Sequence, residues 1–203
     1  MPGKYTYYGD YYSASRKEYY DRLVFPQNPS FFNQVFQSVN TALLIGHPVV
    51  FRNLSFGDDP KIISRKFGLP REIIDNHGIS SEVLFYKEKI NKRNAIIQLH
   101  FLQGEFFCAG YTFRDNNSAE RMRIKNTLFE KHSNHNGVSF EKHNALIDGF
   151  GNTIFVFDSV FLQVLYVWGE EKVKRAVEAF IRSEYFIEAT RKEKSEKTLF
   201  NKL

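Results

Sequence analysis

Residues 82–113 constrain the chain more than any other stretch. Three apolar runs follow one another there, Glu82–Ile90, Ala95–Leu102 and Phe106–Phe113, joined by the short links Asn91–Asn94 and Gln103–Glu105. Runs of this length, rich in β-branched and aromatic residues and split by turn-type links, predict an antiparallel meander. The middle run alternates: Ala95, Ile97, Leu99 and Phe101 project one way, and Ile96, Gln98, His100 and Leu102 the other. In the third run Phe107, Ala109, Tyr111 and Phe113 share a face. One face of such a sheet is strongly apolar and needs a cover, which amphipathic helices elsewhere in the chain would supply.

Length sets the scale of that assembly. A chain of 203 residues buries roughly 70% of its unfolded surface and needs no covalent staples. With 21 Phe and 11 Tyr, the expected core is bulky and aromatic. The single cysteine, Cys108, excludes an internal disulfide and fits a reducing, cytoplasmic setting. It falls mid-strand, where an inert buried thiol is favoured over a nucleophile. No apolar run approaches the ~20 residues of a membrane span, and Met1–Tyr5 starts no secretory h-region, so no membrane association is expected. The net charge of +5 owes much to the mixed-sign tail 191–203, which reads as a solvated end.

Other elements flank the meander. Residues 1–24 form an arm in which Tyr5, Tyr7, Tyr8, Tyr11, Tyr12, Tyr19 and Tyr20 alternate with Lys4, Arg16, Lys17 and Arg22. Aromatics among cations suit single-stranded nucleic acid, but rings laid across a domain surface are the favoured account. A single α+β domain is expected over 25–190. Asn28 and Pro29 start a helix whose apolar face is Phe32, Val35, Phe36, Val39, Ala42 and Leu43, ended by Gly46–Pro48. Val49–Phe51 reads as a short strand. Asp59 caps a short helix with Pro60 at its start and Gly68 as its stop; a brief turn over Arg71–Asn76 follows. Ser118 caps a helix reaching about 131. Strands are expected at 145–147, 153–157 and 160–168, the last two joined by Asp158–Ser159, before an amphipathic helix over 171–190.

Each of the stretches 55–114 and 118–168 reads as a short helix before a three-strand meander, one ending at Tyr111 and the other at Tyr166. That order suggests two tandem α-βββ halves joined in one sheet. Residues 55–113, with Phe56–Gly57, a short helix carrying Ile63, then Phe67–Pro70 and a strand bearing Tyr86, also resemble the helix-plus-meander module of the BamE/SmpA lipoproteins. The β-lactamase-inhibitor-protein fold carries this kind of module in tandem. The resemblance implies a non-enzymatic scaffold that binds other proteins, and it carries over no site residues.

Chemistry-bearing clusters are sparse. His132, His135 and His143 lie near Asp148 in sequence, but the loop holding them is polar, and solvated histidines are favoured over a metal site. No phosphate loop, dinucleotide fingerprint or nucleophile elbow occurs. Residues 61–77 have helix-turn-helix spacing, yet the second helix would be barely two turns long and carries Glu72 and Asp75, which repel phosphates. The expected fold is therefore α+β, with antiparallel meanders covered on one face by amphipathic helices. The expected role is a non-catalytic interaction protein that takes a protein or peptide partner, or a second copy of itself. It would bind through a sheet edge or an aromatic sheet face bearing Tyr86, Tyr111 and Tyr166, with His100 as a further candidate and no cofactor. The alternatives are a ligand-binding protein or enzyme with an aromatic-lined pocket near His100, and, less favoured, nucleic-acid binding by the arm or by 61–77.

Overall fold

The computed structural model describes residues 16–21, 23–24, 34–36, 42–90, 92–114, 117–132 and 144–183. Within them the chain forms one mixed sheet of eight strands: β1 (Leu43–Leu44), β2 (Glu72–His77), β3 (Ser80–Ile90), β4 (Arg93–Leu102), β5 (Glu105–Phe113), β6 (Ala145–Ile147), β7 (Thr153–Asp158) and β8 (Leu162–Val167). Helices are α1 (Arg16–Asp21), α2 (34–36), α3 (Pro60–Phe67), α4 (Ser118–His132) and α5 (171–183). The strand order is β1-β6-β7-β8-β5-β4-β3-β2. Every pairing is antiparallel except the parallel β1–β6 contact. The fold is thus α+β.

The meander over β3–β5 forms for the local reasons expected. Gln103 and Gly104 both take positive φ (53° and 82°), the backbone of a tight two-residue hairpin that matches strand twist. The last strand of each meander, β5 and β8, then pair with each other at mid-sheet, with Gly110 opposite Leu165. On one face, Leu84, Tyr86, Ile97, Leu99, Phe101, Ile154, Val164 and Tyr166 pack under Ile63 of α3, Phe129 of α4, and Val49, Phe51 and Leu54 of the segment between β1 and α3.

The opposite face is covered as well, which extends the expected one-sided cover. Val173, Val177 and Ile181 of α5, with Val35 of α2, pack on Phe107, Phe155, Leu165 and Val167. Tyr20 of α1 packs on Phe85, with ring centroids 4.9 Å apart, beside Val83 and Ile96. Two polar side chains of this face find partners inside it, while the buried Thr112 Oγ1 meets none among the described residues. Gln98 Nε2 donates to Leu23 O at 2.7 Å, and Ser80 Oγ lies 2.9 Å from His100 Nδ1. These pairings offset much of the cost of burying Gln98 and His100 among apolar neighbours.

Several sequence expectations change in detail. Phe107 does not share a face with Ala109, Tyr111 and Phe113. The β4–β5 register shifts at His100/Phe101, where Phe101 faces Phe106 and His100 faces Cys108. Phe107 is the extra residue of a bulge, and its ring is turned to the α5 side. The helix expected to run through Leu43 gives way to strand β1, whose Leu43 and Leu44 gain a ladder with Leu146 and Ile147. Val49–Phe51 contributes one isolated bridge, Phe51 to Leu54. Asn117, rather than Ser118, caps α4, its Oδ1 accepting from Glu120 N at 2.9 Å. β7 and β8 are joined by residues 159–161 instead of two residues. The brief turn expected over Arg71–Asn76 is mostly strand β2, paired to β3. That strand replaces the recognition helix a helix-turn-helix requires, so the DNA-binding reading of 61–77 falls. The residues expected to start the first helix (Asn28, Pro29), most of the arm, the loop 133–143 and the tail lie outside the described residues.

Candidate functional site

The candidate site grows from the alternation on the first face. Tyr86 on β3, Tyr111 on β5 and Tyr166 on β8 all point to the side covered by α3 and α4. Between α2 and α3 the chain crosses over them. Phe51 packs tilted against Tyr111 and edge-on to Tyr166, both at 5.1 Å between centroids. The Arg52–Asn53 turn that follows has both residues at positive φ, 52° and 62°. Non-glycine residues held there cost of order 1 kcal/mol each, and such strain is characteristic of functional corners.

That turn aims Arg52 across the row. Its guanidinium lies 5.4 Å from the Tyr111 ring centroid and 5.6 Å from that of Phe67. Nε donates to Tyr111 Oη at 2.6 Å, and the head pairs with Glu88 at 2.5 Å. Burial pushes the phenols of Tyr86, Tyr111 and Tyr166 above their ordinary range, so each remains a neutral hydrogen-bonding group. An open groove of about 630 Å³ adjoins Arg52, lined by Lys66, Phe67, Tyr86, Glu88 and Ile97 among others. Tyr86 Oη donates to Gly68 O at 3.3 Å, while Lys66 pairs with Asp58 at 3.3 Å. Apolar floor, aromatic wall and charged rim are the make-up of a side-chain anchor pocket.

The other end of the row is a histidine pair. His132, at the end of α4, stands edge-on to Tyr166 at 6.4 Å and stacks on His47 at 5.4 Å. His47 Nε2 and His132 Nδ1 are 3.1 Å apart. His132 is 6% exposed, and its Nε2 meets no partner among the described residues. Burial first, then Lys131 and His47, lower its pKa to about 4. Unfolded histidine protonates near 6.5. The stability conferred by neutral His132 is therefore full above about pH 6.5 and is lost as the pH falls toward 4. After allowance for partial solvent access, the loss should be on the order of 2 kcal/mol. Urea midpoints between pH 7 and pH 4 should fall less for His132→Gln than for the wild type; parallel curves would remove His132 as the source.

The four residues singled out by sequence do not form one surface. Tyr111 and Tyr166 come together, 6.4 Å apart, beneath Phe51. Tyr86 is separated from Tyr111 by Ile97 and packs on Phe67, 5.2 Å away, and it alone of the three lines the groove. His100 lies on the opposite face, 1% exposed, with its ring edge-on to Phe107 at 6.1 Å. It is not among the residues lining either of the grooves of about 630 Å³ and 480 Å³. Arg52 and His47 were missed. Nothing in their local sequence shows where a non-local turn will aim them; the sole hint is an Arg-Asn pair between apolar residues. Among the described residues no three metal-ligating side chains converge. His135 and His143 lie outside those residues. Also among the described residues, no helix is long and apolar enough to cross a membrane. Compared with known proteins, the chain matches no family model, no curated protein and no solved structure.

Proposed function

We propose that this protein is a non-catalytic interaction protein that receives an extended segment of a partner protein along the outer side of β2. The carrying observation is the composition of that margin. β2 is the last strand of the sheet, with no strand beyond it among the described residues. Beside it stand two apolar side chains open to solvent, Leu69 at 92% exposure and Ile73 at 45%. The edge of a sheet is a template for strand addition, in which main-chain hydrogen bonds supply affinity and alternate side chains supply specificity. Ile73 faces the Tyr86 side of the sheet, since it pairs with Leu84. A partner's alternate residues would thus reach toward the groove beside Tyr86 and Phe67. A second copy of the chain is one partner such an edge admits. The resemblance of 55–113 to helix-plus-meander modules of protein-binding scaffolds supports the same conclusion. A reducing, cytoplasmic setting suits the unpaired, buried Cys108, whose thiol burial pushes up and out of reach of ionisation.

The test is selection of displayed random peptides on the full chain, followed by amide exchange. Selected peptides should carry apolar residues at alternate positions and slow exchange at Ile73 and Asp75. They should bind a Leu69→Lys/Ile73→Lys variant at least tenfold more weakly. Both substitutions are at exposed sites, so the variant should unfold within about 1 kcal/mol of the wild type. Selected peptides that bind both proteins equally, or that protect only other strands, would sink the assignment.

A further inference from the structure

On the face opposite the tyrosine row, a second groove of about 480 Å³ opens near the β3–β4 turn. Five parts of the chain build it. Alternation on β3 puts Lys87 and Lys89 on the same side as Ile96, to judge from the pairing of Lys87 with Ile96 and Lys89 with Asn94. Arg114 follows β5 directly, Tyr19 comes from α1, and Phe161 from the link between β7 and β8.

The cations here lack, among the described residues, the carboxylate partners that several others on the molecule have. Arg52, Arg93, Arg121, Lys125 and Lys172 each meet a carboxylate. No carboxylate among the described residues pairs with Lys87, Lys89 or Arg114. The one acidic residue lining the groove, Glu88, turns its carboxylate to the other face, where it holds Arg52 at 2.5 Å. Three cations therefore share a small concavity with their charge unneutralised, a field that favours a multiply charged anion. The groove is also pre-organised. The Arg114 guanidinium sits between two rings, 5.6 Å from the Tyr19 centroid and 5.4 Å from that of Phe161, and donates to Tyr19 Oη at 2.5 Å. Lys87 Nζ lies 5.7 Å from the Tyr19 centroid. A guanidinium fixed in this way presents its fork to phosphate with little further ordering.

We propose that this groove binds a nucleoside phosphate. The phosphates sit among Lys87, Lys89 and Arg114, and the base lies against the aromatic walls, with the Asn94 amide available to its polar edge. Charge calls for the phosphates, the rings call for a flat partner, and the volume suits a single nucleotide within the range of small-molecule pockets. The proposal does not rest on the β2 edge.

The test is calorimetric titration of the full chain with ADP, UDP, inorganic pyrophosphate and a ten-base single-stranded oligonucleotide. Saturable binding of a diphosphate nucleotide is expected, at least tenfold tighter than pyrophosphate. Lys87→Gln/Lys89→Gln and Arg114→Gln should each weaken it at least tenfold with melting temperature unchanged, while Arg93→Gln, outside the groove, should leave it unaltered. No binding at millimolar nucleotide, or binding indifferent to the groove variants, would overturn the proposal. Pyrophosphate binding as tightly as the nucleotides would also overturn it, reducing the groove to an anion site. So would an oligonucleotide that binds with a steep salt dependence while mononucleotides do not.

Discussion

Asp148→Ala is expected to destabilise the protein by about 4 kcal/mol, equivalent to a fall of roughly 10 °C in melting temperature for a chain of this size. Asp148 is buried in the turn between β6 and β7. One carboxylate oxygen accepts from Phe150 N and Asn152 N, both at 2.9 Å. The other accepts from Asn152 Nδ2 at 2.9 Å and, across the fold, from Val49 N at 2.8 Å. The turn is thereby tied to the segment carrying Phe51 and Arg52 over the tyrosine row. Alanine would leave several buried donors without a partner, and an unsatisfied buried donor costs about 1–3 kcal/mol. Asp148→Asn keeps one acceptor oxygen, so its loss should be intermediate. Urea denaturation of the three proteins checks the order; an alanine variant within 1 kcal/mol of the wild type would show that water replaces the carboxylate.

Gly169→Ala should be nearly as harmful, with a loss of about 3 kcal/mol. A Cβ on Gly169 would lie 2.3 Å from both C and O of Gly151 and 2.8 Å from Asn152 N. All of these are backbone atoms, and the surroundings cannot yield easily. Gly169 N donates to Asn152 Oδ1 at 2.9 Å, while Trp168 N donates to Phe107 O at 2.8 Å. The close approach of these two chain segments sets where α5 leaves the sheet. Gly149→Ala is the control, because nothing lies within 4 Å of its Cβ position; it should change stability by no more than about 0.5 kcal/mol. Equal midpoints for the two variants in the same denaturation experiment would refute the steric account.

Much of the candidate site's setting was legible, whereas its assembly was not. The short helix α3 follows from local chemistry. Asp59 Oδ1 accepts from Lys61 N at 2.7 Å and Ile62 N at 2.9 Å, Pro60 opens the helix, and Gly68 at φ 81° ends it. The face each tyrosine takes within its own strand follows from the two-residue period of strands, and strand pairing then brings the three to one side. Phe107 shows the limit of that rule: a bulge shifts one residue of register, and it shows only in the pairing with β4, not in the run itself. Lys87 and Lys89 are two apart on a strand, so their common face was readable. What meets them there, Arg114, Tyr19 and Phe161, comes from positions 19 to 161, and no local pattern links such distances.

Sequence by itself determined the elements whose causes lie within about ten residues: the meander, the capped helix α3, and the amphipathic stripe of α5. Periodicity, caps and turns are short-range effects, and here they agree with one another. Tertiary structure alone decided three matters: β5 meeting β8 at mid-sheet, Leu43–Leu44 becoming a parallel edge strand on β6, and helices closing the second face. These depend on which apolar surfaces and unpaired backbone groups find each other after the local elements have formed. The same holds for Arg52 over Tyr111 and for His47 against His132, whose environments are made by residues 59 and 85 positions away.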